Sequence, residues 1–296
     1  MNGTVVGLLL RLLALLPLRL NHGVGRLMSK LYLWIPNRRR TVGKTNIGLC
    51  YPERDEKWRR ALLRECLTET SKAFTELGPL WYWDEKRLME LVPQVSGGEI
   101  LEHARAKGAG LIILLPHSGS WEMANLYLSR HLHLTTLFRP PEMQALHGVM
   151  HFGRERMGAR LVPTDVSGVR ELYRVLRAGE AIAMLPDQEP PRGSGAFAPF
   201  FGVPAYTMRL ISRLARKTGA PVVTVMAERL AAGKGYKLHC LPVSDAIYDA
   251  DPVISATATN EAVQTCININ PRQYLWTYKR FRHRPPTDWR VQHNAL

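Results

Sequence analysis

The stretch Leu111-Ile-Ile-Leu-Leu-Pro-His117-Ser-Gly-Ser-Trp-Glu122 decides how this chain is read. Five aliphatic residues closed by a proline have the length and composition of a buried strand, and the residues after it bring a histidine and a carboxylate to one turn. Gly119 permits the bend, Ser120 suits a helix N-cap, and Glu122 then falls in the first turn, where the helix dipole favours its ionised form. Within one regular helix, residues five apart lie about 140° apart around the axis, so the two side chains meet only if His117 stands ahead of the first turn. An imidazole whose tautomer is fixed by a carboxylate, and whose protonated form that carboxylate stabilises, takes a proton from an alcohol near neutral pH. A first-turn acid after an unrelated loop histidine gives the same H-x4-E spacing. The position after a buried strand favours function, because ligands of α/β sheets gather at the carboxyl ends of strands.

Outward from this point, apolar runs alternate with segments of helical spacing. Residues 111–115, 134–138, 181–185 and 222–226 read as strands, with 237–241 as a weaker fifth. Residues 121–131, 142–157, 168–177, 206–218 and 253–268 read as helices, with Gly179 and Gly219 as C-terminal stops. The alternation predicts an α/β fold with a mostly parallel or mixed central sheet flanked by helices. Residues 53–91 predict one or two helices with Leu62, Cys66, Ala73 and Leu77 on the buried face, and the Trp81-Tyr82-Trp83 cluster is assigned to the core rather than to an interfacial belt.

The 296 residues suffice for one large α/β domain with an extension, predicted here as an N-terminal membrane anchor over 1–34 and a single α/β domain over 35–296. The formal net charge is +15, which points to anionic partners. Its distribution chooses among them. Before Glu53 there is no acidic residue, while Arg11, Arg19, Arg26, Lys30, Arg38, Arg39, Arg40 and Lys44 are basic. The apolar run over 5–20 is interrupted by Arg11, Pro17 and Arg19 and falls short of the about 20 apolar residues that span a bilayer. It fits an uncleaved anchor, its apolar side chains entering an anionic cytoplasmic leaflet while the arginines snorkel to headgroups, better than a secretory signal. A core-packed helix with a solvated basic face is the other reading. Cys50, Cys66, Cys240 and Cys266 are widely spaced and read as reduced thiols. His147 and His151 lie four apart on a predicted helix, but no H-E-x-x-H or nearby cysteine pair completes a metal site, and no metal or other cofactor is expected.

Three further segments sit where strands end: Leu137-Phe-Arg139-Pro-Pro141, Met184-Leu-Pro-Asp187-Gln188-Glu-Pro190, and Ala198-Pro-Phe-Phe-Gly202, read as an apolar turn. Convergence of these ends would let Arg139 bind phosphate through its planar fork and let Asp187 orient that arginine or bond a substrate hydroxyl or amide. Taken singly, a strand-end arginine is an ordinary surface charge and Pro-Asp-Gln an ordinary turn.

The order of these segments resembles the bacterial lipid A late acyltransferases, the lauroyl and myristoyl transferases related to the lysophospholipid acyltransferase superfamily. The resemblance covers nearly the whole chain. It rests on the His117-Ser-Gly-Ser-Trp-Glu122 box, Phe138-Arg139-Pro140, Arg154-Glu-Arg-Met-Gly158, Leu185-Pro-Asp187-Gln188, Pro199-Phe-Phe-Gly202, Gln273-Tyr-Leu-Trp276 and Arg280-Phe-Arg282, beside the N-terminal anchor. It implies transfer of a fatty acyl chain from acyl carrier protein to a hydroxyl of a phosphorylated glycolipid, a lipid A precursor, at the cytoplasmic face of the inner membrane. It makes His117 and Glu122 the catalytic pair, with Glu122 orienting the imidazole, and sets Arg139, Arg154, Asp187 and Gln188 near the acceptor or the acyl donor. Backbone N–H groups around Gly119 are the candidates for the oxyanion.

A related acyltransferase for another membrane lipid, such as a lysophospholipid, phosphatidylinositol mannoside or aminolipid, would carry the same His117 and Glu122. The Pro-Asp187-Gln segment favours the lipid A group over the glycerolipid group, whose expected sequence is of a Pro-Glu-Gly-Thr-Arg type. A nucleic-acid-binding module would interleave aromatic and basic residues on one face, whereas here the charge lies beside an apolar run, so nucleic acid is not an expected partner. A thioesterase would use the same base on water, and an inactive scaffold would keep the fold without needing His117.

Overall fold

A computed structural model describes residues 3–35, 37–138 and 144–285. The first part of the chain is helical: α1 (Gly3–Ala14), α2 (Leu18–Trp34), α3 (Arg38–Cys50), α4 (Glu56–Thr75), α5 (Leu77–Tyr82) and α6 (Glu85–Glu90). The middle part comprises β1 (Gln94–Ser96), α7 (Gly98–Ala106), β2 (Leu111–Leu114), α8 (Trp121–His131), β3 (Leu134–Phe138), α9 (Gln144–Glu155), β4 (Arg160–Pro163), α10 (Val166–Arg177) and β5 (Ala181–Met184). The last part comprises β6 (Gly195–Phe200), β7 (Val203–Met208), α11 (Leu210–Thr218), β8 (Val222–Arg229), β9 (Tyr236–Pro242) and α12 (Pro252–Ile269).

A seven-stranded sheet runs in the order β1-β9-β8-β2-β5-β3-β4 and is parallel throughout except between β8 and β9. The two central strands, β2 and β5, are buried at every residue. Their aliphatic runs have no polar face because both faces are covered. Leu111, Ile113, Ala181 and Ala183 point into one apolar layer with α7 and α8, and Ile112, Leu114, Ile182 and Met184 into the other with α10, α11 and α12. The mostly parallel mixed sheet between helical layers is the α/β architecture expected from the alternating pattern.

Two expectations are corrected. The 198–202 segment is not an isolated turn but the tip of an antiparallel hairpin, β6 with β7, closed by Phe201 and Gly202 at φ of 50° and 71°. Positive φ at both central residues is the geometry of the two-residue turn whose twist matches paired strands. The helix expected over 206–218 consequently starts at Leu210, because Tyr206 to Met208 are the last rungs of that hairpin. The left-handed backbone of Phe201 is offset by packing of its ring against Tyr51 and Trp276, at centroid distances of 5.2 and 5.9 Å.

The N-terminal helices are part of the same body. Helix α1 buries Leu10 against the first apolar layer, with Val6, Leu13 and Ala14 packed beside it, and leaves Val5, Leu8, Leu9 and Leu12 exposed. Helix α2 is inside out. Its buried positions are Leu18, Asn21, His22, Gly25 and Ser29, whereas Leu20, Leu27, Met28 and Leu31 face outward beside Arg19, Arg26 and Lys30. Asn21 donates to the Leu13 and Thr75 carbonyls at 3.2 and 2.9 Å, and Ser29 bonds Thr68 at 3.0 Å, so the polar inner face is tied to α1 and α4. Gly25 makes the close approach to α4 possible: a Cβ there would sit 2.9 Å from the Lys72 Cα. Among the described residues no helix is long and apolar enough to cross a membrane.

Candidate active site

Adjacent parallel strands bring two of the expected residues together. Strands β2 and β5 pair with Leu114 opposite Met184, and each then runs Leu-Pro-X, giving Leu115-Pro116-His117 beside Leu185-Pro186-Asp187. The Leu115 N–H still bonds the Met184 carbonyl at 2.8 Å, but the prolines after it have no N–H to donate, so the ladder ends there. The next residue on each strand is released to use its side chain. His117 and Asp187 therefore meet at the carboxyl edge of the sheet.

The Asp187 carboxylate takes two bonds from His117, 2.8 Å from Nδ1 and 3.0 Å from the backbone N–H. Burial alone would push the Asp187 carboxyl up, but the His117 charge and these hydrogen bonds outweigh it and hold the group below the usual carboxylate range. An ionised carboxylate only accepts, so in the neutral ring Nδ1 carries the hydrogen and Nε2 the lone pair. The Gln188 side-chain amide lies 3.2 Å from Nε2, and the Trp121 ring stands beside the imidazole at 5.1 Å between centroids.

Glu122 stands where its N-terminal helix position puts it, in the first turn of α8 behind a Ser120 N-cap. Its hydrogen-bond partner is not His117. Arg154, from the last turn of α9, forks onto it with Nε 3.0 and 3.2 Å from the two oxygens and Nη2 on Oε1. The carboxylate bonded to the ring is thus Asp187, because strand register places it opposite His117, while Glu122 faces the α9 side of the turn. Arg154 is charged, its guanidinium held above its ordinary value by Glu122 against the opposing effect of burial. Arg139, expected at the end of β3, lies outside the described residues.

The turn between His117 and Glu122 is closed on its inner side. Gly119 has a φ of 64°, and a Cβ there would fall 2.1 Å from the Ala227 carbonyl oxygen, so only glycine fits. The N–H groups of Ser118, Gly119 and Ser120 are bonded to the carbonyls of Pro116, Gln273 and Ala227 at 2.6, 3.0 and 2.7 Å. With the His117 N–H on Asp187 as well, these groups are occupied, and the expectation that they cradle an oxyanion is corrected.

Beneath the turn lies a cluster that no sequence motif announces. Glu76, at the end of α4, accepts from Arg229 at 2.7 Å on each oxygen, from Ser120 Oγ at 2.6 Å and from Tyr236 at 3.0 Å, with His22 Nε2 at 3.3 Å. Arg229 also donates to the Gly119 carbonyl at 2.9 Å. The Gln273 side-chain amide pairs both ways with the Arg229 backbone, and the Leu275 N–H bonds the His117 carbonyl at 3.0 Å. The Gln273-Tyr-Leu-Trp276 motif is therefore a strut for the His117 turn. Arg280 likewise pins the closing segment to β7 and α12 through Tyr206, Thr207 and Asn260. Only the placement of single charges among apolar neighbours, Glu76 before Leu-Gly-Pro-Leu-Trp81 and Arg229 at the end of an apolar strand, signals this cluster in the sequence.

His117 stands on Asp187 at one sheet edge, and the Gln273–Trp276 motif braces that turn. The family model of bacterial lipid A biosynthesis acyltransferases matches residues 4–283. This chain belongs to that family. It is an acyltransferase. Among its relatives are three lipid A biosynthesis enzymes of Escherichia coli (strain K12). The palmitoleoyltransferase is 28% identical over 84% of this chain and 80% of its own. The lauroyltransferase is 27% identical over 91% and 88%, and the myristoyltransferase 28% identical over 90% and 80%. Family members named for three different acyl groups thus lie at one level of identity to this chain.

Proposed function

We propose that this acyltransferase moves a fatty acyl chain from the thioester of acyl carrier protein to a hydroxyl of a phosphorylated lipid A precursor at the cytoplasmic face of the bacterial inner membrane. The observation that carries the mechanism is the His117 ring, bonded through Nδ1 to Asp187 and presenting Nε2 at the sheet edge. The acceptor hydroxyl displaces the Gln188 amide from Nε2, gives its proton to that nitrogen as it attacks the thioester carbonyl, and the thiolate leaves with the proton that His117 returns. Asp187 holds the productive tautomer and stabilises the imidazolium. Glu122, assigned to the catalytic pair from its spacing, acts in this reading by fixing Arg154, whose charge together with that of Arg139 attracts the anionic substrates. Gln188 completes the acceptor side.

The inside-out α2 supports a membrane role for residues 1–34, with the acyltransferase core over 35–296. Exposed leucines beside arginines and a lysine suit an amphipathic element lying in an anionic interface, its apolar side chains among acyl chains and its cations at headgroups. Phe152 continues the exposed apolar surface from α9, its ring 5.6 Å from that of Tyr82, over which Arg11 lies.

Mass spectrometry of lipid A from cells lacking the protein, complemented with wild type or His117→Ala, tests this reading. The expected result is a species one acyl chain short that only wild type restores, with purified His117→Ala slower by about 10³-fold. Restoration by His117→Ala removes the general base. Unaltered lipid A in the deletion strain and no transfer by the purified enzyme refute the acceptor assignment.

A further inference from the structure

A cleft of about 800 Å³ opens between α3 and the closing segment, away from the His117 ring. One wall is Lys279, Phe281, Arg282, His283 and Arg284, and the other is the Thr41, Thr45 and Leu49 face of α3, with Val203 and Pro204 from β7. No Asp or Glu lines it among the described residues. Arg282 is partly neutralised and His283 is engaged, because the buried Glu189 side chain lies 3.4 Å from Arg282 Nε and 2.8 Å from His283 Nδ1. Lys279 and Arg284 pair with no carboxylate among the described residues, and both are exposed. The cleft is therefore amphipathic, with cations and a threonine hydroxyl beside apolar side chains.

It is also joined to the site already described. Glu189 comes directly after Asp187 and Gln188. Its carboxylate takes the His283 N–H at 3.0 Å, and its own N–H donates to the Tyr278 hydroxyl at 2.9 Å. The rim is thus held to the loop that carries both partners of His117.

Building on the function proposed above, we propose that this cleft is the headgroup subsite of the acceptor: Lys279 and Arg284 bind a phosphate on the glycolipid while another part of the same headgroup presents its hydroxyl to His117. The chemistry recognised is a phosphate monoester on a sugar. Paired flexible cations supply charge-assisted hydrogen bonds to its oxygens, and Phe281, Leu49 and Val203 cover the apolar faces of the sugar and the roots of its acyl chains.

The test compares the full-length wild type with Lys279→Ala/Arg284→Ala, and with Arg213→Ala/Arg216→Ala on α11 as a control for lost charge. The acceptor is a phosphorylated lipid A precursor or the same lipid after phosphatase treatment, and the donor is acyl carrier protein charged with a fatty acid. Both cleft positions are exposed, so unchanged melting is expected. The acceptor KM should rise about tenfold or more with kcat within about twofold, the loss expected for charge-assisted phosphate contacts. The donor KM should not move, the control should behave as wild type, and wild type and variant should be indistinguishable on the dephosphorylated lipid. An unchanged acceptor KM, an equal rise on the dephosphorylated lipid, or a rise in the donor KM instead overturns the proposal, the last handing the cleft to the carrier protein. Should wild type transfer nothing to either lipid, the proposed function fails while the cleft is still judged. Equilibrium binding of the phosphorylated precursor in detergent micelles then reads the same weakening or its absence.

Discussion

Glu76 and Asp187 are both buried carboxylates within reach of the turn at Gly119, yet their surroundings differ in one respect. Around Glu76, four side-chain partners converge, and the attached cation, Arg229, also donates from Nη2 to the Gly119 carbonyl. Around Asp187, the attached ring keeps one nitrogen at the sheet edge, met only by a side-chain amide that an incoming hydroxyl can replace. One pair is closed and holds the turn; the other is left open on one side, as the proposed general base requires. Low dielectric strengthens both, but in a closed cage that strength fixes geometry, and in an open pair it is available to the reacting group.

The contrast is broken most forcefully at the closed pair. Glu76→Gln leaves Arg229 buried without its main counter-charge and should lower unfolding free energy by about 3 kcal/mol or more, read by denaturant titration. A loss below about 1 kcal/mol would mean that the cage is not what braces the turn. The pH dependence sharpens the point. Burial alone would raise the Glu76 carboxyl, but the Arg229 charge and the bonds from His22 and Arg229 hold it well below its ordinary value of 4.5. A folded-state value below the unfolded one gives stabilisation that is complete above that ordinary value. It drains away as the pH falls, because the unfolded chain then binds a proton that the folded one refuses. The stability gap between wild type and Glu76→Gln should accordingly narrow from about pH 6 to about pH 3. A constant gap contradicts the ion-pair account.

At the open pair, Asp187→Asn should reduce turnover by about 10²-fold and cost about 1–3 kcal/mol of stability, because one amide oxygen cannot accept from both Nδ1 and the His117 backbone N–H and cannot stabilise the imidazolium. Turnover close to wild type would transfer the orienting role back to Glu122. Between the two pairs stands Ser120, which caps α8 and donates to Glu76. Ser120→Ala should cost about 1–2 kcal/mol of stability, with activity falling only as the turn loosens. An effect on turnover as large as that of Asp187→Asn would show that cage and site are not separable.

The sequence makes this arrangement legible only as far as the partners are local. Strand β2, the Ser120 cap and the first-turn position of Glu122 are local features, written in an aliphatic run, a glycine and a capping serine. The His117 partner is not local. Glu122 is five residues away and draws the assignment, whereas Asp187 is 70 away and reaches the ring only through β2–β5 register. The repeated Leu-Pro before His117 and Asp187 is the trace of that register, and it means something only once the strands are known to be neighbours. Glu76 and Arg229, 153 residues apart, leave no trace beyond two single charges among apolar neighbours. The hairpin is hidden because its tip, Phe201-Gly202, reads as a turn while its short strands, containing Pro199 and Pro204, do not read as strands.

Helix α2 has a mechanical consequence. A flexible lipid tether leaves a protein free to tumble over the surface that holds it. Helix α2 is instead bolted through Asn21, His22 and Ser29 to its own body, and His22 touches the same carboxylate that grips the His117 turn. Seated in a leaflet as proposed, such a keel fixes tilt and immersion together. His117 would then ride at one constant height above the acyl chains, and the acceptor would have to find it by lateral diffusion alone, with the reacting hydroxyl selected by its depth.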